Sequence, residues 1–210
     1  MSARGEDSPS GAEAAGPVPT VVPLLNIANV LTLSRLVLVP VFLVTLFVGD
    51  GHEPLWRLIA WGVFAVASIT DHVDGNLARR YGLITDFGKI ADPIADKALT
   101  GSALFGLSLL GDLPWWVTIV IAVREIGVTG LRFWVIRHGV IPASRGGKAK
   151  TLTQVVAIGL YLLPMPTALV PVRYVVMGAA VALTVITGVD YVIRAVRLRA
   201  RGRRAGVGPA

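Results

Sequence analysis

Four aspartates within residues 70–97 have the types and spacing of a metal site. Asp71 and Asp74 are three positions apart, and Asp92 and Asp96 are four apart. On α-helices each pair shares one face, so two facing helices would present four carboxylates to the space between them. Without a counter-charge, four carboxylates in low dielectric would repel one another and mostly take up protons. Oxygen-only ligands suit Mg²⁺, Mn²⁺ or Ca²⁺, so the pattern predicts a site for hard divalent cations.

The residues between these aspartates suit a phosphate-bearing ligand. Gly75, Ala78 and Gly88 are small and allow a bulky ligand or a neighbouring helix to approach closely. Arg79 lies eight positions after Asp71, on about the same helix face, and could hold a phosphate. The alternative is a set of structural ion pairs between the acids and nearby basic residues. Four acids at this spacing, with glycines between them, favour the metal site.

The elements that must position these residues are membrane helices. The chain has 210 residues, of which 54% are apolar and 16% charged, with a mean hydropathy of +0.68. Soluble domains average about 25% charged residues, so this chain lacks the polar surface that a water-soluble protein needs. We therefore predict an all-α integral membrane protein. The absence of cysteine from the sequence excludes disulfides, thiolate metal sites and cysteine nucleophiles.

Hydropathy predicts six membrane-spanning helices preceded by a short interfacial helix over 20–31. The six spans are expected at about 30–49, 56–79, 89–110, 114–136, 150–167 and 170–193. Alternate connections are rich in Lys and Arg, and Arg57 and Arg173 are the two exceptions on the basic-poor side. The positive-inside rule then places both termini in the cytoplasm.

The predicted domain organisation is a disordered tail at 1–20, a six-helix domain at 21–195 and a basic tail at 196–210. The formal charge of +7 raises the possibility of a nucleic-acid partner. Its concentration in the segments assigned to the cytoplasm favours an orientation signal and contact with anionic membrane lipids instead, so no nucleic-acid partner is expected.

Several charges must lie at membrane depth in this topology. Only 13 residues separate Arg57 from Asp71, so the second span reaches about 20 residues only by including Asp71 and Asp74. The same count brings Asp92 and Asp96 into the third span. Each charge buried at membrane depth costs a few kcal/mol. So many charges at one level imply a polar cavity that opens to the cytoplasm.

The chain resembles the CDP-alcohol phosphotransferases over roughly residues 23–195. Their signature is Asp-x2-Asp-Gly-x2-Ala-Arg-x8-Gly-x3-Asp-x3-Asp, and every fixed position is matched here. The matching residues are Asp71, Asp74, Gly75, Ala78, Arg79, Gly88, Asp92 and Asp96. That family also has six helices and a cytoplasmic active site.

The resemblance implies an enzyme that transfers a substituted phosphate from a CDP-linked lipid to an alcohol and releases CMP. It implies two divalent ions, Mg²⁺ or Mn²⁺, held by Asp71, Asp74, Asp92 and Asp96, with Asp96 also the base that accepts the alcohol proton. It places the CDP moiety at Asp74, Gly75, Ala78, Arg79 and Gly88. Family members are homodimers, so a homodimer is expected.

The acceptor is predicted from a second, basic group of residues. Segments 29–35, 124–132 and 144–151 resemble the branch of the family that forms phosphatidylglycerophosphate. The acceptor phosphate is therefore expected at Thr32, Arg35, Arg124, Arg132, Lys148 and Lys150. The positive-inside rule alone could explain the basic loops, but Arg124 and Arg132 are set back into a helix. Glu125 is expected to pair with a neighbouring base, and Asp190 with Arg194.

The predicted reaction is phosphatidyl transfer from CDP-diacylglycerol to sn-glycerol 3-phosphate at the cell membrane. Within the family, the alternatives are inositol phosphate or phosphatidylglycerol as acceptor. Outside it, a cation transporter could also use intramembrane acids. A transporter would need neither Arg79 nor a basic acceptor site.

Overall fold

The computed structural model describes residues 27–81, 86–135 and 145–204. Within these ranges the description leaves out the side chains of residues 27–29, 72–81, 86–93, 96, 132, 133, 135, 145, 146, 148 and 201–204. The described residues form six α-helices and no strand, as predicted. The helices are α1 (Ile27–Phe47), α2 (Pro54–Tyr81), α3 (Asp86–Leu109), α4 (Trp115–Val135), α5 (Arg145–Leu162) and α6 (Val170–Arg204).

Glycine and proline set the three short turns, 48–53, 110–114 and 163–169, which follow α1, α3 and α5. Gly51 and Gly111 have φ values of +74° and +76°, in the left-handed region that glycine adopts readily. Pro164 and Pro166 follow α5, and a proline cannot continue a helix because it lacks the backbone N–H. These turns make consecutive helices antiparallel neighbours.

The six helices pack as two groups of three. Helix α1 lies against α2 and α3, while α6 lies against both α4 and α5. The groups meet where α5 contacts α2 and α3, and where α3 contacts α4. One apolar core runs through the bundle, with its largest fully buried side chains at Phe42, Phe64, Leu46, Leu107, Leu113, Ile121, Ile158 and Leu162.

The outer faces of the helices are as apolar as the core. Val44, Ile126 and Val175 are each at least 66% exposed, and many other large apolar side chains face outward. An exposed apolar surface of this extent is unstable in water and suits lipid. Segments Val30–Gly51 and Thr167–Ala200 are long and apolar enough to cross a bilayer. The chain is therefore a membrane protein, while the arrangement of six spans stays a prediction.

A buried guanidinium links two of these turns to the end of α5. Arg57, on α2, donates hydrogen bonds to the carbonyl oxygens of Gly51 and Tyr161 and to the carboxylate of Asp112. Arg173, the other cation on the basic-poor side, lies over the ring of Tyr161 at 5.1 Å. Arg57 therefore has the acidic partner that a buried charge requires, and Arg173 packs on an aromatic ring.

Some predicted boundaries differ from the helices observed. Helix α5 begins at Arg145 and ends at Leu162, several residues earlier than the span expected at 150–167. Helix α6 continues to Arg204, well into the segment expected to be a tail. The tail at 1–20 lies outside the described residues, as do 205–210 and most of the expected interfacial helix at 20–31.

Candidate active site

The four aspartates lie on two continuous helices. Asp71 and Asp74 are on α2, and Asp92 and Asp96 are on α3, so each pair has the helical register that its spacing predicted. Among these four, the structure describes the side chain of Asp71. For Asp74, Asp92 and Asp96 the structure describes the backbone alone. The same holds for Gly75, Ala78, Arg79 and Gly88.

Asp71 is paired with the buried guanidinium of Arg35. The Nη1 group of Arg35, on α1, donates to Oδ1 of Asp71, on α2. Arg35 is 1% exposed and Asp71 is 32% exposed, so the carboxylate is partly accessible while its partner is enclosed. Thr32 is also buried, one turn earlier on α1. This contact brings α1 to the face of α2 that carries Asp71.

The donor chemistry of Asp71 fits a divalent cation. Its second oxygen, Oδ2, accepts no hydrogen bond from the described residues, and the side chain remains partly accessible. Carboxylate oxygens are the ligands that Mg²⁺ and Mn²⁺ prefer. The described side chains include no group of three or more acids or histidines that could hold a metal, and the other three aspartates are not among them.

A second charged cluster forms around Glu125 on α4. Oε1 of Glu125 accepts hydrogen bonds from the Nζ group of Lys150, on α5, and from Nη1 of Arg124, at 3.1 Å. This confirms the prediction that Glu125 pairs with a neighbouring base. Lys150 is buried and Arg124 is partly buried, so two predicted acceptor-binding cations are held side by side across two helices.

Helix α3 joins this cluster through Lys97. Its Nζ group donates to Oγ1 of Thr129 at 2.6 Å, and the same hydroxyl donates to the backbone carbonyl of Glu125 at 2.8 Å. Lys97 directly follows Asp96 in the sequence. The contact therefore links the helix of the predicted base to the helix of the predicted acceptor site.

The predicted acceptor residues divide into two places. Thr32 and Arg35 are on α1, which makes no contact with α4, α5 or α6 across the described ranges. Arg124 and Lys150 meet around Glu125, and the side chains of Arg132 and Lys148 lie outside the described residues. Arg35 is thus placed with Asp71 instead of with Arg124 and Lys150.

Residues on α6 contact the site without having been predicted. Nη2 of Arg124 donates to Oγ1 of Thr187 at 3.1 Å, and Gly188 packs against the side chain of Arg124. A Thr-Gly pair in an apolar helix carries no spacing signal of its own, so the sequence offered no reason to select it. The predicted pair of Asp190 and Arg194 is confirmed, at 2.9 Å.

A family model described as CDP-alcohol phosphatidyltransferase matches residues 25–186. The chain belongs to this family, and the match covers all four aspartates and the cluster around Glu125. Members of the family use divalent metal ions.

Proteins whose names state an enzyme activity are similar to this chain over most of its length. A protein of Mycobacterium tuberculosis named "Probable phosphatidylglycerophosphate synthase" is 63% identical over 83% of each chain. A protein of Bacillus subtilis named "CDP-diacylglycerol--glycerol-3-phosphate 3-phosphatidyltransferase" is 38% identical, over 80% of this chain and 94% of its own. A relative from Rickettsia bellii with the same name is 36% identical, over 79% of this chain and 93% of its own.

Proposed function

We propose that the protein transfers the phosphatidyl group of CDP-diacylglycerol to sn-glycerol 3-phosphate. The products are phosphatidylglycerophosphate and CMP. The names of the relatives support this reaction, since all three carry the same activity. The observation that carries the choice of acceptor is the pair of cations, Arg124 and Lys150, held together at Glu125. Two cations that share one carboxylate carry a net positive charge, which suits a phosphorylated acceptor better than serine or inositol.

The four aspartates supply the chemistry in this proposal. Asp71, Asp74, Asp92 and Asp96 would hold two divalent ions, Mg²⁺ or Mn²⁺. The chemistry that bound ions supply is stabilisation of negative charge on the attacking and leaving oxygens. Asp96 accepts the proton of the sn-1 hydroxyl as that oxygen forms a bond to the phosphatidyl phosphorus. The bond from this phosphorus to the CMP oxygen breaks in the same displacement.

The remaining predicted residues bind and orient the substrates. Gly75, Ala78, Arg79 and Gly88, with Asp74, form the site for the CDP moiety. Arg124, Arg132, Lys148 and Lys150 bind the acceptor phosphate. Arg35 has a different role from the one its sequence context suggested: its contact with Asp71 supports positioning of a metal-binding carboxylate. Thr32 accompanies it on α1.

The membrane arrangement follows from the same proposal. Six spans form a homodimeric, multi-pass protein of the cell membrane, with both termini and the active site on the cytoplasmic side. The domain occupies residues 21–195 between two terminal tails. The lipid donor enters sideways from the bilayer, and glycerol 3-phosphate enters from the cytoplasm.

An acceptor panel tests the proposed function. Detergent-purified protein receives CDP-diacylglycerol with Mg²⁺ or Mn²⁺, and CMP release is measured with glycerol 3-phosphate, inositol phosphate, phosphatidylglycerol or serine. We expect release with glycerol 3-phosphate and none above background with the other three. Release that requires serine would contradict the assignment of Arg124 and Lys150 to a phosphate. Release that requires inositol phosphate or phosphatidylglycerol would contradict glycerol 3-phosphate as the acceptor. No release from folded protein with any acceptor would contradict the enzyme activity itself.

A further inference from the structure

The side chain of Arg124 lies directly against α6 at two consecutive residues. Its Nη2 group donates to Oγ1 of Thr187 at 3.1 Å. A Cβ atom built on Gly188 would lie 3.0 Å from Cγ of Arg124, closer than such contacts normally come. Gly188 is buried, so the space that its missing side chain leaves is filled by the arginine. Helix α6 therefore fixes both the aliphatic part of the Arg124 side chain and the orientation of its guanidinium.

The hydroxyl of Thr187 is itself oriented. It donates to the carbonyl oxygen of Leu183 at 2.6 Å, four residues earlier on the same helix. With its proton committed to that carbonyl, its lone pairs face the guanidinium and accept from Nη2. The Thr187 hydroxyl thus acts as a fixed acceptor, and the guanidinium has one favoured orientation.

Arg124 retains a donor for a ligand in this orientation. Nη1 and Nη2 each carry two N–H groups, and the contacts with Glu125 and Thr187 use one on each nitrogen. The Nε group is buried and has no hydrogen-bond partner among the described residues. Nε lies beside Gly188, so an anionic ligand would be bound by the second N–H groups of Nη1 and Nη2.

We propose that Thr187 and Gly188 are positioning residues for the acceptor phosphate and act through Arg124. This inference rests on the proposed function, because it takes Arg124 as a ligand of the glycerol 3-phosphate phosphate group. It adds a role for α6, a helix that carries none of the signature residues. The pair fixes the guanidinium before the acceptor binds, so that the remaining Nη N–H groups have one orientation toward the phosphate, which lowers the cost of ordering the site.

The test is the KM for glycerol 3-phosphate at saturating CDP-diacylglycerol. Thr187→Val keeps the shape of the side chain and removes the acceptor oxygen. We expect the KM for glycerol 3-phosphate to rise about fivefold to tenfold. The KM for CDP-diacylglycerol and kcat should stay within about twofold of wild type. Thr187→Ser keeps the oxygen and should restore the KM, while Gly188→Ala should raise it by displacing Arg124.

Thr184→Val is the matched control. Thr184 is buried one turn earlier on α6, and its hydroxyl has no hydrogen-bond partner within the described part of the chain. The same change of chemistry there should leave the KM at the wild-type value. In an Arg124→Lys background, Thr187→Val should add less than about a twofold change, because the two residues act as one unit.

The outcomes separate this inference from the proposed function. A wild-type KM in both Thr187→Val and Gly188→Ala would overturn the positioning role. An undiminished effect of Thr187→Val in the Arg124→Lys background would overturn it as well, since Thr187 would then act independently of Arg124. If the wild-type protein releases no CMP with glycerol 3-phosphate, the proposed function itself fails.

Discussion

Arg35 shows how burial changes the meaning of a basic residue. Its position in segment 29–35 suggested an acceptor ligand, but its guanidinium is enclosed and contacts the carboxylate of Asp71. A charge so deeply buried requires a partner, and removing one member of such a pair costs about 3–5 kcal/mol. The sequence could not reveal this contact, because the two residues are 36 positions apart on different helices.

Arg35→Gln should therefore lower the thermal stability of the detergent-solubilised protein. The amide cannot supply the positive charge that Asp71 needs, and we expect a loss of about 3 kcal/mol. Arg197→Gln is the control, because Arg197 is exposed on α6 and its change should cost less than about 0.5 kcal/mol. Equal unfolding temperatures for the two variants would show that the Arg35 contact does not support the fold.

Arg124→Gln should weaken binding of the acceptor more than binding of CDP-diacylglycerol. It removes a charged donor from the proposed phosphate site, so we expect the KM for glycerol 3-phosphate to rise at least about tenfold. The KM for CDP-diacylglycerol should stay near the wild-type value. Arg194→Gln is the control, since Arg194 is half-exposed and pairs with Asp190. A parallel loss of affinity for both substrates would contradict a specific acceptor role.

Helices were easier to predict than the contacts between them. Each of the six helices overlaps a stretch that hydropathy predicted, because about 20 mostly apolar residues in a row favour a helix. Hydropathy misplaced both ends of α5 and the C-terminal end of α6. It indicates where the apolar part of the sequence ends, and a helix can end before or after that point. Arg, Ala and Leu after residue 193 are good helix formers, so α6 continues to Arg204 without an apolar sequence. Pro164 and Pro166 keep α5 from reaching residue 167.

The same limit applies within the candidate site. Spacing along one helix predicted the register of the aspartate pairs, and it also predicted the pairing of Asp190 with Arg194. It could not predict that Thr187 and Gly188 would meet Arg124, 63 residues away along the chain from Thr187. Such contacts depend on which helices are neighbours, and hydropathy is the same for every arrangement of six apolar helices.

Two glycines in the turns provide a test of packing at the element scale. Gly51 and Gly111 have nearly the same positive φ, so alanine should incur about 1 kcal/mol of backbone strain at either position. A Cβ on Gly51 would also lie 2.4 Å from Cδ2 of Leu110, whereas one on Gly111 would meet nothing within 4 Å.

Gly51→Ala should therefore destabilise the protein by about 1–3 kcal/mol more than Gly111→Ala, because only the first creates a clash. Thermal unfolding of the two variants in the same detergent measures the difference. If both lose the same stability, the turn after α1 does not pack against Leu110 as the structure shows.

The length of α6 matters for the whole molecule. Its 35 residues extend about 50 Å at 1.5 Å per residue, against about 30 Å for the hydrocarbon core of a bilayer. The apolar part begins near Val170, so the excess length falls at the arginine-rich end. An arginine-rich helical extension is suited to the anionic lipid surface of the cytoplasmic leaflet.

Topology can be tested directly because the sequence contains no cysteine. His52, in the turn after α1, and Arg197, on α6, are both exposed. With six spans and cytoplasmic termini, His52→Cys should react with a membrane-impermeant maleimide in intact cells, and Arg197→Cys should react only after permeabilisation. Labelling of Arg197→Cys in intact cells, with protection of His52→Cys, would mean the opposite orientation.

The most direct test of the whole account is incorporation of labelled glycerol 3-phosphate into lipid. Purified protein is reconstituted with CDP-diacylglycerol and Mg²⁺ or Mn²⁺, and label in the organic phase is counted for wild type, Asp96→Asn and the control Asp190→Asn. We expect wild type and Asp190→Asn to form labelled phosphatidylglycerophosphate at similar rates. Asp96→Asn should be about a thousandfold slower, because it cannot accept the hydroxyl proton. A wild-type rate in folded Asp96→Asn would contradict the assigned chemistry.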